Sequence, residues 1–292
     1  MVYITGDTHG GYTRFGQIKR FVRKNHLSNE DVVVVLGDMS VNFSLNERDE
    51  EMKTNYNKLG PKFFCIHGNH EQRPATISSY YITEFCGGKV YVEDKYPNLY
   101  FAIDGEIYDL DGYKTIVIGG AYSVDKFYRI ARTLLRENAF SPLLTSKITE
   151  YYYKQGNVSR ETNVLIEELY KKADPLGKSW WPDEQPSEEI KQTVEKVLND
   201  NDWKIDVVLS HTSPFSFEPT DVFLSDIDQN SVDSSTEHWL DTIEKKLDYK
   251  HWYAGHFHVN RQVTEKFTFL FENMLPIGEV LKPKEESDML QL

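Results

Sequence analysis

The sequence predicts a layered α/β fold. Short β-branched runs alternate with amphipathic helical stretches, and run after run ends in a glycine-bearing polar turn. Val2–Ile4 is the first run and leads into Gly6-Asp7-Thr8-His9-Gly10. Val32–Leu36 is an unbroken apolar run, as expected of a strand buried on both faces. Phe63–Ile66 repeats the pattern and ends in His67-Gly68-Asn69-His70-Glu71. Tyr113–Ile118, Asp206–Leu209, Trp252–Ala254, Val263–Thr264 and Phe267–Phe271 read as further strands. Between the first two runs, Phe15, Ile18 and Val22 share one helical face, away from Arg14, Lys19 and Arg23. A second helix is expected from Ser187, which can cap it, with Ile190, Val194, Val197 and Leu198 at helical spacing. A third is expected near Ser234, with Glu237 completing a capping box.

One stretch breaks the alternation. Ile130 to Lys178 is rich in charged residues and Tyr, lacks strand signals, and carries helical spacing at Val164, Leu165 and Leu169. It reads as a helical insertion in a single domain spanning residues 1–292. It is expected to cap the site, with Trp180 or Trp181 packing at its base; a surface ornament or oligomer contact is the alternative.

At 292 residues with 39% hydrophobic and 27% charged residues, the chain can bury a sizeable core, which argues against disorder over most of its length. Its net charge of -13 argues against a long basic groove for nucleic acid, yet leaves room for a small phosphate ester met by metal ions. The longest aliphatic run is far too short for a membrane span. Two cysteines, Cys65 and Cys86, make no disulfide framework, and MVYITGDTHG has no basic-then-apolar leader. A cytoplasmic protein is expected.

The chemistry concentrates at strand ends, where sites assemble in open α/β sheets. Five of 9 histidines, His9, His70, His211, His256 and His258, lie there together with Asp7, Asp38 and Asn69. Taken alone, Gly37-Asp38 is ordinary turn chemistry, and Asp7 with His9 suits a helix cap equally well. Gly-Asn-His-Glu is harder to explain as a turn. Gly255-His256-Phe257-His258 is the strongest piece, because residues two apart point the same way from an extended segment. A mixed Asp, Asn and His set suits a pair of divalent metals, and such pairs serve phosphoryl transfer.

In this order the five blocks resemble the calcineurin-like metallophosphoesterase superfamily, whose pattern is D-x-H, G-D, G-N-H-[E/D], a lone His, and G-H-x-H. The resemblance runs from Asp7 to His258 and implies a four-layer αββα sandwich. It implies one metal on Asp7, His9 and His258, a second on Asn69, His211 and His256, and Asp38 bridging them. The metals would be Mn, Fe or Zn, divalent or mixed-valence. His70 would face the substrate, and a bridging hydroxide would attack a phosphate mono- or diester. The alternative is a non-catalytic metal-binding scaffold. Val41 stands where the phosphoprotein-phosphatase branch places a second Asp, which argues against that branch; Asn42 is the nearest stand-in to orient His70. Arg73 and Arg129 are candidates to hold the substrate phosphate, since a guanidinium fork matches phosphate geometry. Lys126 lies in the same turn as Arg129. The expected partner is the phosphate-ester substrate, with no extended nucleic-acid and no membrane binding; the sequence does not set the oligomeric state.

Overall fold

The computed structural model describes residues 1–137, 140–173 and 179–281. The N-terminal part runs β1 (Val2–Thr5), α1 (Tyr12–Lys24), β2 (Val32–Val35), α2 (Glu47–Asn57), β3 (Lys62–Cys65), β4 (Tyr81–Phe85), β5 (Gly88–Val92) and β6 (Leu99–Ala102). Next come β7 (Ile107–Leu110), β8 (Tyr113–Ile118), α3 (Lys126–Glu137), α4 (Pro142–Tyr153), α5 (Arg160–Ala173) and α6 (Glu188–Asp200). The chain then forms β9 (Val207–Ser210), α7 (Ser235–Glu244), β10 (His251–Ala254), β11 (Arg261–Gln262), β12 (Phe267–Phe269) and β13 (Leu275–Pro276). No helix among the described residues is long and apolar enough to cross a membrane.

Two sheets result, ordered β13-β1-β2-β3-β6-β5-β4 and β11-β12-β10-β9-β8-β7. Their central strands pair in parallel, β1 with β2 and β2 with β3, and β8 with β9 and β9 with β10, so within each sheet these C-terminal ends lie at one edge. Alternation along each strand builds the layers. Val32 and Val34 of β2 meet Val207 and Leu209 of β9 and Tyr253 of β10 between the sheets. Val33 and Val35 point the other way, onto Ile18 and Val22 of α1 and Met52 and Tyr56 of α2. Val208 and Trp252 face Val194 and Leu198 of α6 and Leu240 and Ile243 of α7. The order is helix, sheet, sheet, helix: the expected four-layer sandwich. Strands buried on both faces have no polar alternation to lose, which is why their runs read as continuously apolar.

The expected strand at Val263–Thr264 lies two residues earlier, at Arg261–Gln262. Ser187 caps α6 by accepting from the Ile190 N–H at 3.3 Å. The capping box at Ser234 does not form: Ser234 makes no side-chain cap bond, and the Glu237 carboxylate instead accepts from Thr212 Oγ1 at 2.8 Å.

Helices α3, α4 and α5 cover the stretch expected as an insertion, with α3 starting four residues before Ile130, and share a cluster of their own, Ile130, Leu134, Ile148, Tyr151, Ile166 and Tyr170, with Trp180 packed against it. Trp181 is buried, edge-on to Phe43. Residues 138–139 and 174–178 of that insertion, including its expected end at Lys178, lie outside the described residues.

Candidate metal centre

The site residues are held by backbone bonds that run between neighbouring strand ends. The Thr8 and His9 N–H groups both donate to the Asp38 carbonyl, at 3.1 and 2.7 Å, and Gly10 N–H donates to Met39. Asp38 Oδ1 accepts from the His70 N–H at 2.7 Å. The second sheet is tied in across the gap: His256 N–H donates to Asp7 Oδ1 at 3.0 Å, and His211 Nδ1 lies 2.8 Å from the Leu36 carbonyl oxygen. The glycines make this closeness feasible. A Cβ on Gly68 would run into the Asp38 carboxylate, and one on Gly255 into Asp7 Oδ1. His9, Asp38, His256 and His258 take left-handed backbone angles, with φ of 50°, 49°, 65° and 54°. Each such angle on a residue with a Cβ costs about 1–3 kcal/mol.

Seven of the expected metal-holding side chains converge here. Ligand atoms fall into three overlapping groups, each within 4.8 Å: Asp7 with His9 and His258, His9 with Asp38 and His70, and Asp7 with Asp38 and His211. His9, Asp7 and Asp38 each belong to two groups. Asn69 Oδ1 lies 2.8 Å from His211 Nε2. His256 stands outside the three groups, buried and edge-on to His211 with ring centroids 5.0 Å apart.

A cation fits this donor set. Asp7 Oδ2 is fully buried without a hydrogen-bond donor, although it lies 3.3 Å from His258 Nε2 and 3.8 Å from His9 Nε2. His9 and His258 bring Nε2 atoms within 2.8 Å of each other, two nitrogens that can share only one proton between them. Burial pushes the Asp7 and Asp38 carboxyls up, but the surrounding imidazoles outweigh it and hold both below the usual carboxylate range. Burial lowers His256 to about 3 and keeps it neutral, while Asp7 raises His258. Ionised carboxylates beside neutral nitrogens and an amide oxygen are the donors a transition metal accepts.

A chain of buried groups fixes the Asn69 amide. Its Nδ2 donates to Ser123 Oγ at 2.9 Å, and Ser123 in turn donates its hydroxyl and its backbone N–H to the two oxygens of Glu184, at 2.5 and 3.1 Å. That geometry leaves Asn69 Oδ1 facing His211. Glu184 lies 115 residues beyond Asn69 and carried no sequence signal. Glu71, also buried, accepts from Gly68 and Ser40 N–H groups, and burial beside Asp38 raises it to about 8.

His70 sits edge-on to His9 at 5.0 Å, and burial lowers it to about 4. Asn42 does not orient it: its Oδ1 accepts from the Tyr80 hydroxyl instead. Neither candidate arginine lines the cavities at the site. Arg73 is spent on Asp104 Oδ2 at 2.6 Å and the Asp183 carbonyl, and Arg129 on Asp125 and the Ser179 carbonyl. Lys126 lies over the Trp180 ring.

Two cavities meet at His9 and His70. The smaller, about 200 Å³, is also lined by Ser40, Phe43, Ser44 and Arg48, so Arg48 is the cation sequence reasoning missed. The larger, about 1170 Å³, takes in Asp38, Asn69, His256 and His258. Its far wall comes from the segment between β9 and α7, through residues such as Phe215, Phe223, Ile227 and Val232. The insertion buttresses that wall from behind, since Gln155 accepts from the Asp228 N–H and the Ser231 hydroxyl.

The model of the calcineurin-like phosphoesterase family matches residues 1–260, a span that holds every one of these side chains. No curated protein gives a match to this sequence.

Proposed function

The chain belongs to the calcineurin-like phosphoesterase family, and from that premise we propose that it hydrolyses a phosphate mono- or diester at a centre of two transition-metal ions. Asp7, His9, Asp38, Asn69, His211, His256 and His258 would hold the ions, which we take to be Mn, Fe or Zn. The observation that carries this reading is the overlap of three ligand groups around shared Asp7, His9 and Asp38. When bound, such a pair supplies positive charge to the phosphoryl oxygens and activates water for in-line attack at phosphorus.

The chain's own residues do the remainder. Asp38 ties the turn after β3 to the end of β2 by accepting the His70 N–H through one carboxylate oxygen. Glu184 and Ser123 hold the Asn69 amide with its oxygen toward the centre. Arg48, exposed and lining the small cavity, offers a guanidinium to a phosphate oxygen there. His70 borders both cavities and enters neutral, so it steadies the departing alkoxide by donating a ring N–H hydrogen bond. His9, Asp38, Asn69, His256 and His258 line an open cleft with room for an ester, which favours the enzyme over a closed structural metal site. Cys65 and Cys86 are free thiols, in keeping with a cytoplasmic setting.

The test is turnover of an aryl phosphate and the matching diester by protein loaded with Mn²⁺, with metal content measured on the same sample. Two bound ions and hydrolysis of one or both esters is the expected result. Two bound ions with no hydrolysis of either would sink the reading and favour the scaffold.

A further inference from the structure

The larger cleft has chemically unequal ends. One end holds the candidate metal ligands. Along the rest, the lining among the described residues includes no Lys and no Arg, while Asp125, Glu218 and Glu237 contribute carboxyl groups. The remaining wall is largely apolar and aromatic. Phe223 stacks on Phe257 with ring centroids 5.9 Å apart, and Phe215 stacks on His238 at 3.9 Å. Glu237 is 4% exposed. Its Oε1 accepts from Thr212, and its Oε2 has no partner at all.

We propose, resting on the phosphoesterase reading, that this cleft receives the alcohol part of an ester carrying a single phosphate, the alcohol having an apolar or aromatic body and an amine or other N–H donor. At about 1170 Å³ the cleft has far more room than one phosphate needs, and it touches Asp38, Asn69, His256 and His258, whereas the cavity beside Arg48, about 200 Å³, touches none of the four. Continuity with the metal end makes the large cleft the place the alcohol must lie. Aromatic faces and carboxylates together suit a cationic or N–H-bearing group. A second phosphate would enter a largely apolar region that offers no Lys or Arg to meet its charge, so it would stay unpaired there. The unpartnered Glu237 oxygen is the acceptor that an N–H group of the substrate would satisfy.

The experiment uses the full chain loaded with Mn²⁺ and three aryl esters: phenyl phosphate, 4-(aminomethyl)phenyl phosphate and 1,4-phenylene bisphosphate. Binding of the product alcohols, phenol and 4-(aminomethyl)phenol, is followed in parallel by calorimetry. The aminomethyl ester should be preferred over phenyl phosphate by about tenfold in kcat/KM, with a similar factor between the two alcohols, the usual worth of one charge-assisted hydrogen bond. The bisphosphate should fall below phenyl phosphate by at least that factor. Glu237→Gln preserves shape and the acceptor for Thr212 but turns the free oxygen into a donor. It should erase the aminomethyl preference in both kcat/KM and alcohol binding, with an unchanged melting curve showing that it folds. Equal handling of the two monophosphates and their alcohols, or efficient hydrolysis of the bisphosphate, would overturn the proposal. If 4-(aminomethyl)phenol binds selectively but no ester is hydrolysed, the phosphoesterase reading fails while the selectivity of the cleft stands. If neither binding nor hydrolysis occurs, both fail.

Discussion

The junction of the two sheets and the helical insertion obey opposite rules. At the junction, four of the seven candidate ligands have left-handed backbone angles, two carboxylates are buried, and Asp7 Oδ2 has no hydrogen-bond donor. The insertion is built as a small helical bundle should be. Pro142 opens α4 behind a Ser141 cap, and an apolar cluster joins its three helices. Its one described non-glycine residue with a left-handed angle is Gln155, φ 46°, and that residue is the one gripping the cleft wall. Within these two regions, left-handed residues therefore fall at or beside the ligands and at the contact with the cleft wall; elsewhere they mark turns such as Cys86, Asp111 and Asp202.

Substitutions at the junction should accordingly remove activity while sparing the fold, and those in the insertion should leave turnover of a small ester largely intact. The largest effect is expected at Asp38. Asp38→Asn should reduce metal occupancy and drop turnover to background, since a neutral amide is a poor partner for two cations. Elemental analysis showing two metals per chain with full activity would defeat the assignment. His70→Ala should come next: both metals kept, and kcat down by about 10²–10⁴-fold, less for esters with good leaving groups. A loss independent of leaving group would remove its role at the departing oxygen.

A smaller effect is expected at Glu184, which holds Ser123 behind Asn69. Glu184→Gln can no longer accept from both Ser123 donors, so the Asn69 amide loses its fixed orientation. Metal affinity should fall by about 10–100-fold in a Mn²⁺ titration, the range typical of groups that orient a ligand from behind. Glu184→Asp should recover part of it, and an unchanged affinity in Glu184→Gln would show that the relay is idle. Replacing residues 130–178 with a Gly/Ser linker should have the smallest effect on a small aryl phosphate, because the cluster it removes is its own. Selectivity among larger esters should shift, and Gln155→Ala should reproduce part of that shift. Unchanged kinetics on every ester would reduce the insertion to an ornament.

The layered α/β fold and the convergence of the candidate ligands were legible in the sequence because both are written locally, while the four-layer order was implied by the family resemblance. Val32–Leu36 is apolar on both faces, and each ligand follows its own strand within three or four residues. What the sequence did not reveal is carried by distance or by polar surroundings. In α2, few apolar residues, chiefly Met52 and Tyr56, anchor an otherwise charged helix, so its periodicity is faint and Arg48 within it carries no signal. Strands β4 to β7 are hairpin elements with half-exposed alternation, easily read as loop. Arg73 and Arg129 looked available because sequence proximity to the motifs cannot reveal that Asp104 and Asp125 already hold them. Glu237 fits a capping box in sequence, yet Thr212, far away in the chain, claims its carboxylate.

The left-handed histidines also bear on how such a chain can age. At His9, His256 and His258 the imidazole is tolerated only as long as something rewards it, because glycine or asparagine would sit there with less strain. A copy released from selection for turnover would thus gain stability by losing these very residues, so decay of the site would proceed downhill instead of by neutral drift. Relatives that have lost the residue equivalent to His70 should show glycine or asparagine at these three places. Histidines retained there in idle relatives would mean that metal binding is selected for its own sake.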